Sequence, residues 1–261
     1  MIEGIILKGY SGFYYVLAND KEYECSLRGK YRLKKQDFLT GDHVLISVTE
    51  HGLNNAVIEE VLPRKNQLLR PPMANVTQAI IVISVKNPPP DLQLLDRLLI
   101  IVDNEGITPI ICFNKIDLAE EDGHDLASLY KGAGYKVVLT STKKELGIVE
   151  LKEQLKNQVS VFAGPSGVGK SSLLNKIRPG LALKIGEVGE KSQRGKHPTR
   201  YTKLIPMQDG GLVADSPGFS RLNLPDMKRE ELSSFFPEFN AYVNLCKFNT
   251  CLHYQEPGCE V

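Results

Sequence analysis

Long hydrophobic runs are missing from this 261-residue chain. No apolar stretch approaches the ~20 residues that a membrane-spanning helix needs, so no membrane partner is expected. The opening residues, Met1-Ile2-Glu3-Gly4, have neither a basic flank nor an apolar core behind them. That argues against a secretory signal and makes the cytoplasm the expected compartment. An excess of charge is missing as well. The 32 Lys and Arg against 31 Asp and Glu leave a net charge of +1, so no bulk field drives the chain onto nucleic acid. A nucleic-acid contact would need a local patch, and two basic stretches qualify, Arg28–Lys35 and Lys191–Lys203. On charge alone each reads as a solvated loop. Gly and Pro, at 22 and 15, are too ordinary for a collagenous or linker-dominated chain.

Cysteine is sparse but unevenly placed. Cys25 and Cys112 stand in apolar, strand-like surroundings and read as inert core residues. Cys246, Cys251 and Cys259 crowd around His253 near the carboxy terminus. With no secretion signal, three thiols and one imidazole point to metal rather than to disulfides. They make a closed tetrahedral set, suited to one structural Zn²⁺ with no open position for chemistry. So small and polar a segment needs the metal to fold. Lys247, Phe248 and Tyr254 lie close enough to serve an RNA contact, although the segment from Asp215 onward is acidic on balance.

Five short alternating runs (Ile2–Leu7, Phe13–Leu17, Tyr23–Leu27, Val44–Val48 and Ala56–Val61) are split by turn residues. They predict a small closed barrel over 1–65, of the OB type by preference and SH3-like as the alternative. A linker follows at 66–78. The texture then changes to continuous apolar runs at Ala79–Val85, Ile107–Phe113, Lys136–Leu139 and Val159–Ala163, with helical spacing at Asp91–Asn104 and Leu146–Leu155. Buried strands alternating with helices argue for a mostly parallel sheet covered on both faces. Shorter β runs are expected at Tyr201–Met207 and Gly211–Ala214, with an amphipathic helix at Met227–Phe236.

Gly164-Pro165-Ser166-Gly167-Val168-Gly169-Lys170-Ser171 sits between an expected strand and an expected helix, the context that a P-loop requires. Its backbone N–H groups can turn inward around phosphates, and the helix dipole adds to their field. Lys170 would bridge the β- and γ-phosphates, Ser171 would ligate Mg²⁺, and the Ser172 N–H would reach the α-phosphate. Asn114-Lys115-Ile116-Asp117 ends a buried strand. A carboxylate there can accept from both N1–H and the exocyclic amine of guanine, a donor pair that adenine lacks. Asp117 fits that role. Asn114 would contact the base or brace the loops, the Lys115 stem would lie on the ring, and the turn Thr140-Ser141-Thr142 would offer an N–H to O6.

Asp215-Ser216-Pro217-Gly218 follows the last short strand. Asp215 would hold Mg²⁺ through water, and the Gly218 N–H would meet the γ-phosphate. Thr199 is the first candidate for the second hydroxyl on Mg²⁺, and Thr202 the second. Phe219 stands where Ras-like enzymes carry a water-orienting Gln. It can neither donate nor accept, so intrinsic hydrolysis should be slow. His197 is the candidate that orients the water, weighed against an ordinary loop histidine. A P-loop ATPase or kinase is the rival reading of the phosphate motif.

The guanine-reading motifs precede the P-loop, whereas ordinary GTPases begin with it. Nearby termini permit such a permutation without changing the sheet. In this order the chain resembles the RsgA (YjeQ) family. The resemblance rests on Asn114–Asp117, Gly164–Ser172, Arg194-Gly195-Lys196-His197, Asp215–Phe219 and Glu256-Pro257-Gly258-Cys259. It implies an α/β protein with an amino-terminal OB-like barrel, a circularly permuted P-loop GTPase domain over 79–222 and a zinc-binding module over 223–261. It further implies hydrolysis of GTP to GDP, stimulated by the small ribosomal subunit, whose rRNA the flanking domains contact. A monomer is expected. The alternative is an RNA-binding module that keeps GTP as a latch. Where the family follows its switch histidine with threonines, this chain has Pro198-Thr199-Arg200, and Ser216 stands in place of a usual threonine.

Overall fold

Alternating side chains need a sheet with one buried face, and the first sixty residues close such a sheet on itself. In the computed structural model, which describes residues 1–10, 12–29, 37–49, 54–69, 71–180, 202–215 and 224–261, five strands form this barrel. They are β1 (Ile2–Tyr10), β2 (Phe13–Ala18), β3 (Lys21–Leu27), β4 (His43–Val48) and β5 (Asn55–Val61). Their order is β1-β2-β3-β5-β4, closed by β1 against β4. The β3–β5 pair is parallel and the rest antiparallel, as in an OB barrel. Ile6, Val16, Cys25, Val44, Ile46 and Ile58 fill the interior.

The segment expected as a linker is ordered. It holds a small hairpin of β6 (Gln67–Leu69) and β7 (Pro72–Ala74). Asn66 and Asn75 clamp its neighbourhood, because Asn66 Oδ1 accepts from Val76 N and Asn75 Oδ1 accepts from Lys65 N. Turn residues in sequence thus mark a tight hairpin rather than a spacer.

The second sheet has six strands in the order β10-β9-β8-β11-β13-β12. They are β8 (Gln78–Ser84), β9 (Thr108–Asn114), β10 (Lys136–Thr140), β11 (Val159–Ala163), β12 (Lys203–Pro206) and β13 (Leu212–Asp215). All seven residues of β8 are buried, as its unbroken apolar run requires. The β9–β10 and β11–β13 pairs are parallel, and β12 lies antiparallel to β13 at the edge.

The helices are α1 (Leu92–Asn104), α2 (Glu120–Gly132), α3 (Ile148–Leu155) and α4 (Lys170–Ile177). Asp91 caps α1 by accepting from Leu94 N at 2.9 Å, and Leu95, Leu98, Leu99 and Val102 give it a buried stripe. Helix α2 escapes a pattern reading because only Gly123, Ala127 and Tyr130 are buried along it. The expected helix at 227–236 is a 3-10 helix at Arg229–Phe235 with no buried residue.

The chain packs as two compact units. One gathers the barrel with β12 and β13, the other β9, β10, the P-loop segment and the carboxy-terminal residues. No described helix is long and apolar enough to cross a membrane.

Candidate functional site

The carboxyl ends of parallel strands are where open α/β sheets bind ligands. In the second unit, the loop after β11 and the turn after β9 meet there. Asn114, the last residue of β9, is fully buried. Its side chain donates to the carbonyl of Val168 in the P-loop at 2.8 Å, while its Oδ1 accepts from the Thr140 hydroxyl at 3.0 Å. Thr140 ends β10, so one amide ties three segments together. Cys112 Sγ lies 3.3 Å from the same hydroxyl. Burial pushes the Cys112 thiol up to about 12 and that of Cys25 likewise, which keeps both unreactive.

Gly169 shows why a glycine is required beside this amide. It caps α4 at φ +103°, and a Cβ built there would stand 2.4 Å from Asn114 Nδ2. Lys115 turns the chain in the left-handed region, at φ 64°. Its ammonium donates to Gly167 O at 2.7 Å and also to Asn87 O. Lys115 and Asn114 therefore both grip the P-loop backbone, the first along its rim and the second from beneath.

Asp117 follows in a 3-10 turn, half-buried, and accepts from Ser141 Oγ at 2.6 Å. Ser141 also accepts from the Lys144 N–H at 3.1 Å, which closes the turn after β10. One Asp117 oxygen is thus held by protein, and the carboxylate is fixed in orientation. Ile116 is buried and Thr142 half-buried beside these residues. Thr140 was expected only as part of the base-binding turn. Its role as the partner that fixes the Asn114 amide is a through-space relation that no spacing reveals.

Lys170 begins α4 with its ammonium folded back onto the loop, donating to Gly164 O at 2.8 Å and Pro165 O at 2.7 Å. Burial lowers its pKa to about 8. Carbonyl dipoles alone compensate a desolvated cation poorly, so this lysine is primed for an anion. Ser171 and Ser172 follow, both half-buried, on the first turn of α4. Asp117 and Lys170 thus belong to loops that are hydrogen-bonded to each other.

In the first unit, Asp215 ends β13 with an exposed side chain. Thr202 is described and buried. His197, Thr199, Gly218 and Phe219 lie outside the described residues, as do most of both basic stretches.

The ligand atoms of Cys246, Cys251, His253 and Cys259 all lie within 4.8 Å of one another. Nδ1 of His253 stands 3.5 Å from Cys246 Sγ and 3.6 Å from Cys259 Sγ. Zinc bond lengths of about 2.3 Å to sulfur and 2.0–2.1 Å to nitrogen, at a tetrahedral angle, require about 3.5 Å between such atoms. The donor set therefore fits the ion. Glu256 organises the loop by accepting from Leu252 N, Tyr254 N and Gln255 N at 2.9, 2.9 and 3.1 Å. Those backbone bonds, that to Tyr254 foremost, lower its pKa to about 2. Phe239 meets the His253 ring edge-on at 6.0 Å and stacks on Phe236.

The chain is similar to known proteins over essentially its whole length. The model of the RsgA GTPase family matches residues 61–225, and that of the RsgA N-terminal domain matches residues 3–56. A small ribosomal subunit biogenesis GTPase RsgA from Moorella thermoacetica is 49% identical over 260 residues, covering 100% of this chain and 89% of that protein. Its namesake from Alkaliphilus metalliredigens is 45% identical over 262 residues, covering 100% and 90%. The crystal structure of YjeQ from Thermotoga maritima superposes with a TM-score of 0.82 at 38% identity, covering 99% of this chain and 89% of the other. That of YloQ, described as a circularly permuted GTPase, gives 0.81 at 39% identity, covering 100% and 86%.

Proposed function

Since this chain belongs to the RsgA GTPase family and is a GTP-hydrolysing enzyme, we propose that it acts on the maturing small ribosomal subunit as a Mg²⁺-dependent switch. The observation that carries the reading is the Asn114 bridge to Val168, which makes the guanine-reading turn and the phosphate loop one rigid cradle.

In that cradle Asp117 takes N1–H and the exocyclic amine of guanine with the carboxylate that Ser141 orients. The Ser141 N–H is taken by Leu146 O at 3.0 Å, which leaves the Thr142 N–H of this turn to meet O6. The backbone of Gly164–Ser172 wraps the phosphates, and Lys170 exchanges its two carbonyl partners for β- and γ-oxygens. Phosphate binding stabilises the lysine's charged form, and the gain comes from relieving a desolvated cation.

Mg²⁺ would be held by Ser171 and Thr199 directly and by Asp215 through water, with Gly218 on the γ-phosphate and His197 orienting the attacking water. The metal supplies charge neutralisation on the transferred phosphoryl group. With Phe219 in place of a polar group, turnover waits for the ribosome to complete the site. One structural Zn²⁺ on Cys246, Cys251, His253 and Cys259 would fix the module 223–261, and this module and the barrel 1–65 would contact rRNA. The GTPase portion is 79–222, joined to the barrel through 66–78. The protein would act as a monomer in the cytoplasm.

The test is phosphate release from GTP with and without purified small subunits. The reading expects slow release alone and a rise of at least about tenfold with subunits, a barrier lower by about 1.4 kcal/mol. Equal rates would refute ribosome control. Loss of the subunit response in His197→Ala, with GDP affinity kept, is expected if His197 orients water.

A further inference from the structure

We infer that Thr40, a residue of the barrel, is a positioning residue for the carboxylate of Asp215; the inference rests on the reading of Asp215 as the Mg²⁺ carboxylate. The observations all lie within one compact unit. The pairing of β11 with β13 is Val159 with Leu212 and Ser160 with Val213. Strand β12 pairs with all four residues of β13, and its last pair is Lys203 with Asp215. Among the described pairings, the end of β13 that bears the carboxylate therefore rests on β12. But β12 is the edge strand, so among the described residues its far side has no sheet neighbour.

The barrel supplies what the sheet does not. Thr40 Oγ1 donates to the carbonyl of Thr202 at 2.9 Å, across 162 positions of sequence. Thr202 immediately precedes the Lys203 that pairs with Asp215. Both threonines are buried, so this bond is shielded from water.

Thr40 is itself held rigidly. Its carbonyl accepts from Ala74 N at 2.9 Å, and the next residue donates through Gly41 N to Ile6 O at 2.8 Å. A Cβ at Gly41 would stand 2.0 Å from Ala74 O, so no other residue fits this turn. Asp42, fully buried, accepts from Leu39 N and takes both ends of an Arg64 fork at 2.6 and 2.9 Å. Asn75 Nδ2 donates to Gly41 O at 2.9 Å. A turn fixed at this many points has little freedom to yield, so a shift of β1 in the barrel, or of β7 in the hairpin beside it, reaches Thr202, then Lys203, then the backbone of Asp215. The barrel thereby sets the height at which the carboxylate stands.

The experiment measures the Mg²⁺ concentration for half-maximal GTP hydrolysis, together with Mg²⁺-free GDP affinity, in the 261-residue chain. Thr40→Val keeps the shape and removes the donor. It should raise the Mg²⁺ requirement about fivefold, the equivalent of about 1 kcal/mol for one hydrogen bond, and leave GDP affinity as in the parent. Thr40→Ser keeps the hydroxyl and should restore the parent value. Thr77→Val removes another threonine hydroxyl bond in the same unit, to Gln158 Oε1 at 2.7 Å, and should leave the Mg²⁺ requirement unchanged. An unchanged requirement in Thr40→Val, an equal rise in Thr77→Val, or a failure of Thr40→Ser to restore would each overturn the inference. Asp215→Asn separates it from its premise. If that variant raises the requirement and Thr40→Val does not, only the inference falls; if Asp215→Asn has no effect, both fall.

Discussion

Replacing Asn114 by Ala removes the amide that joins β9, β10 and the P-loop, and the structure sets the size of the effect. Two hydrogen bonds vanish, one to Val168 O and one from the Thr140 hydroxyl. Each is worth about 1 kcal/mol net, and each leaves a buried partner exposed to a penalty of roughly 1–3 kcal/mol. Water entering the small void recovers part of that penalty. A loss of about 3 kcal/mol in nucleotide binding follows, or roughly 100-fold in Kd. Because the amide grips the loop backbone, the loss should be the same for GDP and IDP, which differ only in the exocyclic amine. Fluorescent-nucleotide titration against both ligands, with a thermal melt as control, measures this. A Kd within threefold of the parent would refute the bracing role. A loss seen with GDP but not with IDP would make Asn114 a reader of the exocyclic amine instead.

Two further outcomes follow from other parts of the structure. The Lys170 ammonium, lowered to about 8 in the free protein, regains its proton when phosphates arrive, so the bound pKa lies above the free one. Affinity is then full below pH ~8 and declines above it. GDP should bind about fivefold more weakly at pH 8.7 than at pH 7.5, and Lys170→Met should flatten the profile; an unchanged Kd across this range in the parent would contradict the charge state assigned to Lys170. At the carboxy terminus, elemental analysis should find one zinc per chain. Cys251→Ser should cut zinc retention and open residues 224–261 to proteolysis while GDP binding persists; full retention would show that Cys251 is not a ligand.

What could be read beforehand depended on the range over which each signal acts. The barrel strands were legible because period-2 alternation is local, and β8 was legible because a strand covered on both faces has to be apolar throughout. The segments 164–171 and 114–117 could be placed at strand ends because their residue types stand at fixed spacing, and they do follow β11 and end β9. Helix α2 was missed, since three small or amphipathic buried residues leave almost no periodic trace. The hairpin at 67–74 hid behind Pro71 and Pro72, which in isolation read as a spacer. The cluster of Cys246, Cys251, His253 and Cys259 was visible as residue types, but the carboxylate of Glu256 that folds its loop through three N–H groups was visible only as part of a motif. Thr140 and Thr40 were invisible as functional residues. Their partners lie 26 and 162 positions away, and a lone threonine in a strand or turn carries no signature.

The most direct test of the shared cradle uses Asp117→Asn. Replacing one carboxylate oxygen by an amine turns an acceptor pair into one acceptor and one donor, which suits xanthine, whose C2 carries a carbonyl. With Lys170 and the P-loop untouched, the account predicts that affinity passes from GDP to XDP, each changing by at least about tenfold. A variant that still prefers GDP, or a parent protein that binds ADP as tightly as GDP, would contradict it.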